Sequence, residues 1–209
     1  MSDIRDLEKP KESKYNLQDY LSLGYVYLLV LGVFNQTIYY KFLNINILDY
    51  SSILDVLISP ISIITGDLKI AIALVFAVLF GLLYKIILPR YYKWLVKKEK
   101  YKSGKNKEKI EKSLAGVKSN NFTIFIVGLM VFSVFIGLGS GRGSKMKKKI
   151  NNGEIELTHE IVFQDNTSKK VNIIGKNSLN VFYVLKGNKE ITIIPIEGNI
   201  KSIEKLKKE

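Results

Sequence analysis

The chain has no cysteine, which excludes a disulfide, a thiolate nucleophile and a sulfur-ligated metal, and with them zinc and redox chemistry through sulfur. Histidine is almost as scarce. His159 is the only one, and a single imidazole between Thr158 and Glu160 cannot build a metal site. No serine elbow and no activated lysine is in view, so no catalytic, cofactor-binding or metal-ligating residue is assigned. The expectation is a protein that is not an enzyme. Acidic residues are also few: 19 Asp and Glu against 32 Lys and Arg leave a net charge of +13. Glu154, Glu156 and Glu160 alternate, as on the wet side of a half-buried sheet, more often than as a cation site.

Charge is missing altogether from the middles of three apolar runs, 21–40, 68–88 and 122–139. Each has about the length needed to cross ~30 Å of hydrocarbon as a helix. The chain therefore reads as a membrane protein with three transmembrane helices. The polar tail 1–19 carries four basic and five acidic residues, unlike the short basic start of a secretory signal, so the first span is expected to be retained. Heavy use of Ile, Lys, Asn, Tyr and Phe, all with AT-rich codons, points to a low-GC bacterium and hence to its cytoplasmic membrane.

Between the first two spans, the segment 43–66 is apolar but interrupted by Asp49, Asp55 and Pro60. Its uncharged part is too short to cross, and Pro60 is expected to break its helix. Ile53, Leu54, Leu57, Ile58 and Ile61 fall on one helical face, which places the segment at the interface with Asp49 and Asp55 left to water. The alternative is a re-entrant pore loop, for which only Ser59, Ser62 and Thr65 could serve. Tyr20, Tyr25, Tyr39, Tyr40 and Phe42 bracket the first span, and Tyr84, Tyr91, Tyr92 and Trp94 follow the second, as interfacial anchors. Asn35 and Gln36 are the only amides in a span, either wetted near the surface, the favoured choice, or bonded to another helix.

The positive excess sits in two collars. The loop 90–121 has eleven basic and three acidic residues, and 140–149 has five basic and none acidic. Both favour the cytoplasm, yet one crossing separates them; the larger collar is expected to prevail. That leaves the N-terminus and the 90–121 loop inside and the C-terminal part outside. The loop is lysine-rich without aromatic interleaving after Tyr101, so it offers no base-stacking platform or arginine fork for specific nucleic-acid recognition. Anionic lipid headgroups are the expected partner, met by Lys93, Trp94, Lys97, Lys98, Lys100 and Lys102. A solvated topogenic loop is the competing account.

The stretch from Gly137 to Lys145 lacks the order of a phosphate loop, since Ser144 and Met146 stand where Gly and a hydroxyl residue are required. Its alternating glycines cost roughly 1 kcal/mol each in a helix, so the span is expected to end near Gly139 and 140–149 to form a flexible linker. Gly128 and Ser133 lack the four-residue spacing of a small-residue packing motif. From 150 to 209 the pattern becomes alternating. Ile155, Leu157, Ile161 and Phe163, then Val171 and Ile173 before Gly175, predict strands, and 181–185 with 191–196 flank Gly187-Asn188 as a two-residue hairpin. Pro195 puts the last strand at an edge or strand end, and Ile200, Ile203 and Leu206 allow a short amphipathic helix. The fold class is thus α+β: three spans, an interfacial helix and a small all-β domain, a barrel or rolled sheet. Sixty residues are marginal alone and would profit from the membrane, a homo-oligomer or a protein partner. If this domain is the working part, a fragment starting near Lys147 folds by itself.

The run Tyr39-Tyr-Lys-Phe-Leu-Asn-Ile-Asn-Ile-Leu-Asp-Tyr50 with Asp55-Val-Leu57, together with Val181-Phe-Tyr183 and Ile193-Ile-Pro-Ile196, resembles uncharacterised bacterial multi-span membrane proteins that carry a small C-terminal β-module. The resemblance implies an architecture and no activity. An anchored interaction or sensing module is the leading expectation, with an oligomeric pore or membrane-disrupting effector, as in bacterial defence, as the alternative. A coupled transporter is disfavoured because Asp49, Asp55, Asp67 and Lys85 all fall at edges or connections. Replacing Lys97, Lys98, Lys100 and Lys102 by Gln in a peptide spanning 91–112 should remove strong, salt-sensitive binding to anionic vesicles, at roughly 1 kcal/mol per engaged lysine. Equal binding of the unsubstituted peptide to anionic and neutral vesicles would reduce these lysines to an orientation signal.

Overall fold

The computed structural model describes residues 16–98, 101, 104–118 and 120–207. Most of the polar tail 1–19 lies outside them. Among the described residues, five helices, α1 (Leu17–Lys41), α2 (Ile53–Gly66), α3 (Leu68–Leu95), α4 (Gly104–Lys118) and α5 (Asn120–Asn151), precede five strands. A single 3-10 turn, Ile47–Asp49, lies between α1 and α2. α1, α3 and α5 are each long and apolar enough to cross a membrane. The fold is α+β, as expected, with three candidate spans.

Contacts between these helices fix their directions. On α1 and α5, Tyr27 donates to the Gly128 carbonyl at 2.6 Å, Asn35 donates to that of Phe135 at 2.7 Å, and Gly143 sits against Tyr39 and Phe42. The partner numbers rise together, so the two helices are parallel. α3 runs the other way: Gly81 lies against Val127 and Met130, whereas Ile70 and Leu74 share a cluster with Phe135 and Leu31. The bundle consequently has two distinct ends. The described residues between α3 and α5, α4 among them, are at one end; the 43–66 connection and the strands that follow α5 are at the other.

α2 is one unbroken helix with Pro60 inside it, contrary to the expected break. Proline removes the hydrogen bond that the Val56 carbonyl would otherwise receive. That carbonyl lies over Gly32 of α1, where any Cβ would collide with it, so α2 crosses α1 at close range. Val56 and Pro60 are buried in this crossing, while Ile53, Leu54, Ile58 and Ile61 point outward and are 48% exposed or more. The greasy face inferred from spacing is therefore an outer face, as an interfacial helix requires.

The strands are β1 (His159–Phe163), β2 (Ser168–Lys176), β3 (Asn180–Val184), β4 (Thr192–Pro195) and β5 (Ile200–Lys205), in one antiparallel sheet of order β4-β3-β2-β1-β5. β4 and β5 are free edges with no pairing between them, so the sheet is open and the barrel expectation is corrected. Alternation along β3 sends Val181 and Tyr183 to one core, with Ile161, Val171 and Ile200, and Phe182 and Val184 to another. That second core is completed by Tyr40, Leu43, Ile47 and Ile150 from outside the sheet. A fragment starting near Lys147 would leave Tyr40, Leu43 and Ile47 behind, so the module does not carry its own full core.

Other expectations change for local reasons. Ile155 and Leu157 precede the first strand, which begins only at His159. Gly175 does not end β2: it lies within the strand at a register irregularity, and the Tyr40 hydroxyl occupies the space of a Cβ there. The β3–β4 connection spans Leu185 to Ile191 rather than two residues, turning where the Asn188 N–H donates to the Leu185 carbonyl, with Gly187 at φ 85°. Ile200 and Ile203 are on β5, not a helix, with Ile203 opposite Ile161. Pro195 closes β4, an edge strand, as anticipated. Within 90–121 the end of α3 and the whole of α4 are helical and Val96 to Lys98 form a turn after α3; in α4, Lys107 pairs with Glu111 at 3.9 Å and Lys112 with Glu108 at 2.9 Å.

The largest correction concerns 140–149. α5 continues through it to Asn151, so the expected flexible linker is helix. Gly139 and Gly143, four residues apart, face α1; a Cβ would lie 2.8 Å from the Asn35 carbonyl oxygen at the first and 2.7 Å from that of Tyr39 at the second. Gly137 and Gly141 face open space. The two pairs should respond oppositely to alanine. Gly139→Ala with Gly143→Ala should destabilise the chain by ~1–3 kcal/mol through overpacking, and Gly137→Ala with Gly141→Ala should stabilise it by up to ~1 kcal/mol each. Thermal unfolding of the full chain in detergent separates them, and equal effects would refute this division of the glycines.

Candidate functional site

The sheet is seated on the bundle by a continuous polar and aromatic seam. The last turn of α1 supplies two tyrosines with different tasks. Tyr39 donates to the Ile174 carbonyl of β2 at 2.8 Å, and Tyr40, 7% exposed, packs its ring 5.0 Å from that of Phe182. Both were expected as interfacial anchors; they are docking residues. Asn177 and Asn180 at the β2–β3 turn donate to the Tyr50 carbonyl at 2.9 and 3.0 Å.

Asp55 closes the seam. Ser52 caps α2 by accepting from the Asp55 N–H at 3.1 Å, and the Asp55 carboxylate accepts in return from the Ser52 N–H at 3.0 Å. The same carboxylate accepts from the Ser178 N–H at 2.9 Å and the Ser178 hydroxyl at 2.8 Å. Asp55 was expected to face water; it instead ties α2 to the sheet. Burial alone would raise its pKa, but the hydrogen bonds from Ser52 and Ser178 outweigh burial and hold the carboxyl below its ordinary range.

Enclosed by this seam is a cleft of about 690 Å³ between α1, α2, the start of α3, α5 and the end of β2. Ser59, Ser62 and Gly66 continue the Ser52–Asp55 row at alternating spacings of four, three and four, so α2 turns a polar stripe toward it. Asn35, Gln36 and Arg142 face it from α1 and α5, Lys176 from the end of β2, Asn177 from the β2–β3 turn, and Asp67 from the cap of α3. Asn35 is 4% exposed and spends its amide on α5, so the favoured expectation of a wetted amide is corrected. Arg142 stands 5.9 Å from the Tyr39 ring centroid. Neither Arg142 nor Lys176 forms an ion pair with a described residue.

Of the lysine-collar residues, Lys93 and Trp94 lie in the last turn of α3 and Lys97 and Lys98 just beyond it. Lys98 places its ammonium 4.0 Å from the Trp94 ring centroid, and Tyr91 stacks 5.9 Å from the same ring. Lys100 and Lys102 lie outside the described residues. This cluster is at the bundle end opposite the cleft. His159 starts β1 and bonds the Thr158 hydroxyl at 2.8 Å; burial first and then Lys205 hold its pKa below the usual value. Glu160 accepts from the Ser168 hydroxyl at 2.6 Å, and among the described residues no group of His, Asp and Glu is placed to hold a metal.

These features define a membrane-associated α+β protein in which a small open sheet is docked on the ends of α1 and α5 and on the start of α2. No family model matches the chain, and neither does any curated protein or solved structure.

The cleft was not foreseen from sequence, although part of its signal was present. Ser52, Asp55, Ser59, Ser62 and Gly66 form a helical stripe that the break expected at Pro60 concealed. The Asp55 seam makes a pH prediction. Because its folded pKa is depressed, its contribution is complete above the unfolded value and is lost as pH falls through the folded one. Thermal stability in detergent attributable to Asp55 should be flat from about pH 8 to about pH 5 and decline below the ordinary carboxylate range. Asp55→Asn should cost ~1–2 kcal/mol at neutral pH and flatten that decline. An unchanged acid limb in the variant would remove Asp55 as the titrating group.

Proposed function

We propose that the chain is a non-catalytic membrane anchor for an interaction or sensing module, the C-terminal sheet, held as one body with the membrane part. The observation that carries this reading is the shared core: Tyr40, Leu43, Ile47 and Ile150 complete the packing of Phe182 and Val184. A tethered domain on a free linker would have its own closed core, whereas here any change in the sheet bears directly on α1, α2 and α5. Protein partners would meet the sheet, and the lysines around Trp94 would meet anionic headgroups at the other end.

The oligomeric pore is less well supported. Beneath the cleft the bundle is filled by Leu31, Leu74 and Phe135, and the outward residues of α3, such as Phe76, Leu79, Phe80 and Leu83, are apolar. Those are surfaces for lipid, with no polar stripe to line a shared channel.

We place the chain in a bacterial cytoplasmic membrane with the lysine-rich end inside and the sheet outside, since the larger basic collar outweighs the smaller one. The absence of cysteine makes the test direct. Lys109→Cys should be shielded from a membrane-impermeant maleimide in intact cells and Lys189→Cys labelled, and the full chain in liposomes should release no entrapped dye. Labelling of Lys109→Cys alone would overturn the sidedness, and equal labelling of both cysteines would defeat the three-span crossing. Protein-dependent release would replace the anchor with the pore.

A further inference from the structure

With the three apolar runs taken as spans, as proposed above, the cleft falls at the depth where hydrocarbon gives way to headgroups. Its walls include Asp67, immediately before the apolar run that starts at Leu68; Gly139, where the third run ends; and Gln36, in the last third of the first. Its lining mixes polar groups, such as Ser51, Ser62, Lys176 and Asn177, with apolar ones, such as Ile63, Ile70 and Leu138, so an occupant with both a polar and an apolar part is matched.

The charges narrow the polar end further. Arg142 and Lys176 reach the cleft without a carboxylate partner among the described residues, and arginine's planar fork suits a phosphate group. The carboxylates in the same lining are already engaged. Asp55 is taken up by Ser52 and Ser178, and Asp67 accepts from the Lys69 N–H at 2.9 Å. Their negative charge still counts against a multiply charged head, so a phosphodiester with a single negative charge fits best. A cleft of about 690 Å³ is large for a free phosphate ion and suits a headgroup with its glycerol. The outward apolar face of α2, at Ile53, Leu54 and Ile61, lies in the same layer and offers surface to the acyl chains.

We infer that the cleft binds the phosphodiester headgroup of a membrane lipid, with Arg142 and Lys176 on the phosphate and the serines of α2 beside the glycerol oxygens. This site is separate from the lysine collar and does not depend on what partner the sheet engages.

The test uses the full chain purified in a maltoside detergent, with thermal unfolding as the readout. Dihexanoyl phosphatidylglycerol, below its micellar concentration, should raise the unfolding midpoint saturably; dihexanoylglycerol, which lacks the phosphate, and inorganic phosphate at equal concentration should not. Arg142→Gln with Lys176→Gln should weaken the lipid response at least tenfold, and Lys147→Gln with Lys148→Gln should leave it unchanged. Should the first double variant fail to fold, Lys176→Gln alone, at an exposed position, should still weaken it severalfold. An equal response to dihexanoylglycerol would overturn the role of the phosphate. Binding of inorganic phosphate as tight as that of the lipid would make the ligand a free phosphate compound and overturn the lipid assignment. A lipid response unchanged by Lys176→Gln and by the double variant would place the phosphate elsewhere.

Discussion

Close parallel packing of α1 on α5 is the constraint on which the rest of the structure depends. Hydrocarbon supplies no hydrophobic drive between apolar helices, so their approach must come from van der Waals fit and a few polar contacts. Gly139 and Gly143 let the backbones meet, and the Asn35 amide spans the gap to Phe135. Because the helices are parallel, their C-terminal ends emerge together. Tyr39, Tyr40 and Ile150 thus arrive at one place, where the sheet can use all of them.

That convergence explains how a sheet of five short strands is stabilised without closing into a barrel. One face is packed within the sheet, around Ile161, Val171 and Val181; the other would be bare without the helix ends. Covering Phe182 alone is worth ~2–3 kcal/mol, a large fraction of what so small a domain can gain by itself. The same docking encloses the polar cleft, since the seam through Asp55 and Ser178 holds the stripe of α2 opposite Arg142. Anchor, module and cleft are consequences of one packing arrangement.

Much of the architecture was legible because it follows from the solvent. A run of apolar residues long enough to cross hydrocarbon is visible whatever it packs against, and all three runs became long helices. The outward face of α2 and the edge position of β4 were legible for the same reason, since spacing and proline act locally. Errors gathered where residues take their meaning from a distant partner. Glycines at 139 and 143 looked like a flexible exit and are helix contacts; Gly175 looked like the limit of the strand and is a position within it that admits Tyr40. Asp55 looked solvated and is bonded to Ser178, more than a hundred positions away in the chain.

By itself, then, the amino-acid order determined the number of candidate spans, the places where apolar surface ends and charge begins, and the change to strand alternation after the third run. These depend on hydropathy and short-range periodicity, which each segment expresses alone. Tertiary structure decided the direction in which α1 and α5 pack, the open form of the sheet, the core it borrows from the helix ends, and the convergence of α2, Arg142 and Lys176 on one cleft. Those outcomes depend on which backbones can approach most closely and which polar groups then find partners, and neither property belongs to any one segment of the chain.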